Sequence, residues 1–409
     1  MFESVRKLWK KKKHIHLDYA STTPVRKEVL HSMSPFWRDE WANPSALYTS
    51  AVRVRRIIEE SRERIAQMLR IRASGVVFTG GGTESNNLAL IGAVEQVHQN
   101  GCAYADIEVL TTKIEHASIL ETVRELERRG VNIAYLPLFE DGRIDIEASK
   151  AVLSKKTAII SFAYVNSEIG VVQDVKRFSR MVRAWSKEHE TKVLIHLDAA
   201  QAPLWLPCEL DTLGIDLISL DSGKCYGPKG AGVLALRHGV SLAPAVFGGG
   251  QESGLRSGTE NTALIVGCTE ALIRAQEVWE VRAARVLSLR DYFIEKIQAE
   301  ISGVVVNGSL QSRVANNVNI SIPGIDSEYA VITLDRYGIA ASTKSACGAS
   351  STSGSAVVRE LTKDDARAGS TIRFTLGEET TKAEIGNAVA VLKKHVFETR
   401  AFLKTLKSV

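Results

Sequence analysis

LISLDSGKCYGPKG, residues 217–230, decides the fold. LISLD reads as a buried strand, apolar and closed by turn residues. A run of glycine and small residues follows, and GVLALR (232–237) reads as a strand again. Lys224 sits at the first junction and Lys229 lies within GPKG. An amine at the end of a buried strand is costly unless it is used, because low dielectric disfavours its charge. Outward from this stretch the pattern repeats. VVFTG (76–80), IEVLTT (107–112), NIAYLPL (132–138), TAIISFAYV (157–165) and KVLIHLD (192–198) read as short buried strands. Helical spacing of apolar residues over 51–69, 83–97, 117–129 and 175–189 separates them. This alternation predicts an α/β fold, a mostly parallel sheet flanked by helices on both faces. After about residue 265 the order changes. One long helical stretch is expected over 263–301, then VVVNG, NNVNISI and further elements of a smaller α+β C-terminal domain. The expected division is a tail at 1–13, a segment at 14–29 that packs with the small domain, a large domain at 30–275 and the small domain at 276–409.

Composition narrows the class. Of 409 residues, 44% are hydrophobic and 24% charged, ordinary for a soluble globular chain. No apolar run reaches the roughly 18 residues of a membrane span, and no apolar stretch of a secretory signal follows the basic N-terminus. Residues 1–13 hold six basic side chains against Glu3 alone, which is the whole of the formal charge of +5. The remainder is neutral and offers no basic field for nucleic acid. The tail reads either as a solvated extension or as a helix with Phe2, Val5, Leu8 and Trp9 on one face, suited to an anionic surface. The five cysteines (Cys102, Cys208, Cys225, Cys268 and Cys347) are odd in number, scattered and without a CxxC. That is neither a disulfide framework nor a zinc site, and it fits a reducing, cytoplasmic location.

In open α/β sheets the ligand lies beyond the carboxyl ends of the strands. There FTGGGTESNN (78–87) places three glycines between a strand and a helix, a combination that binds phosphate. A plain glycine turn with Thr83 as helix cap explains it equally well. HLDAAQ (196–201) closes an apolar strand on Asp198, which caps the next turn or faces a cation. Lys224 alone would be a snorkelling surface residue. Together the three supply a phosphate anchor, a pyridinium partner and an amine for an aldehyde, the needs of pyridoxal phosphate.

From about residue 15 to 405 the chain resembles the class V aminotransferase family of fold-type I pyridoxal-phosphate enzymes, and within it the cysteine desulfurases of iron–sulfur cluster assembly. The motifs are LDYASTTP (17–24), NPSALY (43–48), FTGGGTESNN, EHAS (115–118), NSEIGVVQD (166–174), HLDAAQ, K-x-YGPKG (224–230), GGGQESGLRSGTEN (248–261), SAC (345–347) and STIRFTLG (370–377). The resemblance implies roles. Lys224 would be the Schiff-base lysine, Asp198 the partner of the pyridine nitrogen and Gln201 a donor to the phenolic oxygen. His116 would stack on the ring and share in proton transfer. Gly82 and Thr83 would hold the phosphate, joined by Thr259 from the neighbouring subunit of a homodimer. Arg373 would grip the carboxylate of L-cysteine, and Cys347 would take the sulfur as a persulfide. An acceptor protein, an iron–sulfur scaffold or a sulfur carrier, would receive it.

Three departures stand in the motifs. The family has Ser-Gly-His before the lysine, and this chain has Asp221, Ser222 and Gly223. An ionised Asp221 would repel the phosphate, with Ser222 as a substitute hydroxyl. Asn166-Ser167-Glu168 stands for Asn-Asn-Glu, and the Cys347 loop lacks the usual Glu-Pro. Competing readings are a selenocysteine lyase or cysteine-sulfinate desulfinase, and a catalytically weakened scaffold homologue.

Overall fold

A computed structural model describes residues 14–343 and 354–407. The basic tail and Cys347 lie outside the described residues. Two compact units are present. The larger comprises Thr22–Ser167 and Val171–Arg282; the smaller comprises Glu168–Gly170 and the described parts of Met1–Ser21 and Ala283–Val409.

Strands are numbered along the chain from β1 (Ile15–His16), which belongs to the smaller unit. The larger unit holds β2 (Val76–Thr79), β3 (Glu108–Thr111), β4 (Asn132–Tyr135), β5 (Thr157–Ala163), β6 (Leu194–Asp198), β7 (Leu217–Asp221) and β8 (Gly232–Leu236). They form one sheet in the order β2-β8-β7-β6-β5-β3-β4. The pairs β3/β4, β3/β5, β5/β6 and β6/β7 are parallel, and β8 runs antiparallel to both β7 and β2. The expected mostly parallel sheet is therefore present. Its strands read as continuous apolar runs because helices cover both faces. On one face Leu90 and Val94 of the Gly82–Gln99 helix and Val123 and Leu126 of the Ala117–Arg128 helix share a core with Ile159 and Leu234. Three residues beyond Ile159, Phe162 projects to the other face. There it meets Phe178 of the Val175–Glu188 helix, ring centroids 4.9 Å apart.

Strand direction places the site. The carboxyl ends of β3, β5, β6 and β7 share one edge. β2, antiparallel to the same strand as β7, ends there too. Thr79 and Asp221 both pair with Gly232, one from each side. A Cβ on Gly232 would sit 2.7 Å from Gly81 Cα, so only glycine lets the loop after β2 fold over β8.

The single helix expected over 263–301 is two, Thr262–Glu277 and Trp279–Glu300, broken at Val278. Buried Arg282 explains the break. Its guanidinium donates to the carbonyls of Ala275 (2.8 Å), Leu204 (3.0 Å) and Arg274 (3.3 Å). Carbonyls at a helix end need such donors, and apolar periodicity carries no trace of them.

The smaller unit is α+β. β12 (Thr371–Thr375), β10 (Asn317–Ser321) and β9 (Val305–Val306) form an antiparallel sheet, and β1 pairs in parallel with β11 (Ile339–Ala340). Phe293 packs on Phe374 behind β12, centroids 5.0 Å apart. No helix among the described residues is long and apolar enough to cross a membrane.

Candidate active site

The glycine loop after β2 enters the Gly82–Gln99 helix directly. Its N-cap is Gly81, at φ 138°, and Thr83 stands exposed in the first turn rather than capping it. All three glycine N–H groups have acceptors. Gly80 donates to Glu84 Oε2 (2.7 Å), Gly81 to Thr79 Oγ1 (3.4 Å) and Gly82 to Asp221 Oδ2 (3.3 Å). Glu84 is held in turn by Arg256 Nε at 2.8 Å.

Asp198 ends β6 and is buried. Asn86 Nδ2 donates to its Oδ2 (2.8 Å) and the Ala200 N–H to its Oδ1 (3.0 Å). Among the described residues no cation pairs with it. The Asn86 amide also donates to Ser118 Oγ (2.9 Å), while its Oδ1 is buried without a partner among the described residues. Ser118 connects this group to His116, the N-cap of the Ala117–Arg128 helix. His116 Nδ1 accepts from the Ser118 N–H (3.1 Å) and lies 2.8 Å from Ser118 Oγ. An acceptor Nδ1 leaves the ring proton on Nε2.

Beside His116, Glu115 is buried between two elements. Thr112 Oγ1 donates to its Oε1 (2.6 Å) and the Ala163 N–H to its Oε2 (2.8 Å). Burial pushes the carboxyl up to about 8; the two hydrogen bonds oppose that rise and the nearby Asp198 adds to it. Beneath Asp198 on β6, His196 is buried between Ser161 Oγ (2.8 Å) and Ser219 Oγ (2.9 Å). Burial drives this imidazole down to about 3, so it is a neutral strut across β5, β6 and β7.

Lys224 lies on the short 3₁₀ turn Ser222–Lys224 that follows β7, half-buried rather than enclosed as the strand pattern suggested. Asp221 caps the turn, its Oδ1 accepting from the Gly223 N–H at 2.8 Å. The Ser222 hydroxyl is fully buried and faces the carbonyls of Pro228 and Ala231 (3.0 Å to the latter). It is thereby committed to the loop behind the turn and is no substitute donor at the front. Gln201 is half-buried three residues after Asp198, and Thr259 is exposed in the loop before the Thr262–Glu277 helix. Asn166 is buried after β5, its Nδ2 donating to the Ile114 carbonyl (2.7 Å), and Ser167 beside it is half-buried.

In the smaller unit Arg373 is at the centre of β12 and is only 2% exposed. Its Nη2 donates to Asp18 Oδ1 (2.8 Å) and Ser21 Oγ (2.9 Å). The ends of the segment that contains Cys347 are anchored. Ser342 pairs with Arg373, and Ser355 Oγ donates to Glu168 Oε2 (2.5 Å) while capping the Ala356–Thr362 helix.

Sequence reading missed Asn86, Ser118, Glu115 and Asp18. Asn86 was findable, since it lies four residues after Gly82 and one helical turn brings it to the same edge. Glu115 and Asp18 carry no such signal, because each is defined by a partner far away in the chain.

The family model described as Aminotransferase class-V matches residues 15–387. A cysteine desulfurase IscS of Dictyoglomus turgidum is 37% identical over 389 residues, covering 95% of this chain and 96% of that protein. Its namesake in Neisseria meningitidis serogroup C is 38% identical over 389 residues, covering 94% and 93%. Among solved structures, a NifS-like protein superposes with a TM-score of 0.85 at 29% identity, covering 94% of this chain and 99% of that one. The structure of SspA in complex with cysteine gives 0.75 at 32% identity, covering 90% and 100%. With one family model spanning almost all of it and relatives matched end to end, this chain belongs to the class-V aminotransferase family.

Proposed function

We propose that the protein is a pyridoxal-phosphate-dependent cysteine desulfurase that converts L-cysteine to L-alanine and passes the sulfur through Cys347. One observation carries the cofactor reading. Asp198 is a buried carboxylate that receives two N–H groups and no cation among the described residues. Such a group is stable when a cation completes its shell, and a protonated pyridine nitrogen is one. The donor set at the same sheet edge fits the rest: the Lys224 amine after β7, the His116 ring and the Gly82–Gln99 helix start.

Bound there, pyridoxal phosphate supplies an electron sink for chemistry at the substrate Cα. Asp198, fixed by Asn86, would pair with the ring nitrogen and keep it protonated. Gln201 would donate to the phenolic oxygen. Gly82 and Thr83 would hold the phosphate, with Thr259 of a neighbouring subunit in a homodimer as a further donor. Lys224 Nζ would hold the group by its aldehyde and serve as the base for the substrate Cα proton. His116 would flank the group and relay a proton through Nε2. Arg373 binds the substrate carboxylate. Cys347 thiolate attacks the substrate sulfur. The S–S bond of a persulfide forms as the Cβ–S bond breaks, and the electron pair of that bond stays with the carbon skeleton that leaves as L-alanine. An acceptor thiol on a scaffold or carrier protein then takes the outer sulfur.

The test is a spectrum of the full-length protein with pyridoxal phosphate, before and after L-cysteine, beside an assay for alanine. Cys347→Ser should keep the spectral response to L-cysteine and lose persulfide transfer to protein thiols by about a hundredfold or more. Wild-type transfer by that variant would overturn the sulfur route. No spectral change in either protein would favour the weakened-scaffold reading that Asp221 motivates.

A further inference from the structure

We infer that Asp221 is a resident anion of the cofactor-phosphate cup and sets how strongly this site prefers pyridoxal phosphate over unphosphorylated pyridoxal. The inference rests on the cofactor reading above and concerns this chain's own departure from the family pattern. Gly80 and Gly81 find their acceptors nearby in the chain, at Glu84 in the first turn of the helix and Thr79 at the end of β2. Gly82, the first residue of the helix, instead donates to a carboxylate from a different strand, Asp221 Oδ2 at 3.3 Å. That N–H is where a helix start receives an anion, and here an anion of the protein already holds it.

The placement is built in. Thr79 and Asp221 flank Gly232 in register, and glycine at 232 lets the loop cross close over β8. A Cβ on Gly82 would lie 3.4 Å from Asp221 Oδ2, so the carboxylate and the helix start are in near contact. The other oxygen, Oδ1, caps the turn that carries Lys224. One side chain thus ties the phosphate end of the site to its amine end. Neither of the two residues that follow Asp221 offers a compensating side-chain donor. Ser222 is turned to the Pro228 and Ala231 carbonyls, and Gly223 has no side chain. A phosphate seated on Gly82 must displace the carboxylate or lie against a like charge a few ångströms away. Pyridoxal, with a hydroxymethyl group in place of the phosphate ester, meets neither cost.

The experiment measures dissociation constants of both compounds for the full-length apoprotein and for Asp221→Asn and Asp221→Ser, from the absorbance of the Lys224-bound form at fixed ionic strength. Asparagine and serine both cap a helical turn, so the Lys224 segment keeps its shape in either variant. Both variants should raise the preference for the phosphorylated compound by about tenfold or more, leaving pyridoxal binding within about threefold. Inorganic phosphate should compete more strongly in the variants than in wild type. An unchanged or reduced preference, with both compounds still binding, would overturn the role of Asp221 and leave the cofactor reading standing. Failure of every protein to bind either compound would overturn both.

Discussion

Two buried titratable side chains near the candidate site pull stability in opposite directions with pH. Folded Glu115 keeps its proton up to about 8 against a reference of 4.5, because burial disfavours its charge. Its contribution is complete below 4.5 and is lost as pH rises through 8. His196, driven to about 3 from 6.5, contributes fully above 6.5 and loses that contribution as pH falls towards 3. Between pH 6.5 and 8 only Glu115 of the pair changes, at up to about 1.4 kcal/mol per pH unit. Urea midpoints should therefore fall from pH 6.5 to 8 in wild type, and Glu115→Gln should shrink that fall. An equal fall in the variant would mean that Glu115 is ionised in the fold. Sequence shows a glutamate next to a histidine here; its burial comes from Thr112 and from Ala163 at the end of β5.

At the scale of elements, the parallel strands deliver polar residues to one edge, and a single glycine brings the last piece in. Gly232→Ala would put a methyl group 2.7 Å from the Gly81 backbone. Backbone cannot swing aside as a flexible side chain can, so the loop must lift from β8. Stability should drop by about 1–3 kcal/mol, and the Gly82 N–H should move away from Asp221. Chemical denaturation would show the first effect and a cofactor titration the second. Unchanged values for both would mean that the loop does not depend on this contact. Each strand of the larger sheet was legible within a few residues, because alternating runs of strand and helix write their periodicity locally. The break at Val278 was not, because its cause is the guanidinium of Arg282 reaching back to carbonyls before the break.

At the scale of the whole molecule, the smaller unit joins residues from both ends of the chain. β1 pairs with β11, and Asp18 meets Arg373 across 355 positions. Arg373 is buried and needs a counter-charge. Asp18→Asn keeps the shape and removes the charge. It should cost roughly 2–3 kcal/mol, less than for a fully enclosed pair because Asp18 is partly exposed. Thermal unfolding of the full-length protein checks this. An unchanged midpoint would mean that Ser21 and the sheet alone hold Arg373. The same guanidinium is the one proposed to bind the substrate carboxylate, so the variant should also alter the KM for L-cysteine.

Family and sheet type were determined by sequence alone, since LISLDSGKCYGPKG, HLDAAQ and FTGGGTESNN each place their polar group within a few residues of the apolar run that buries the strand. Tertiary structure decided the partners: Asn86 for Asp198, Asp18 for Arg373, and above all Asp221 rather than Ser222 as the group facing the Gly82 N–H. Those pairings depend on strand register and on which loop crosses which strand. A hydrogen bond three ångströms long is set by that geometry, and residues more than a hundred positions apart carry no local pattern that records it.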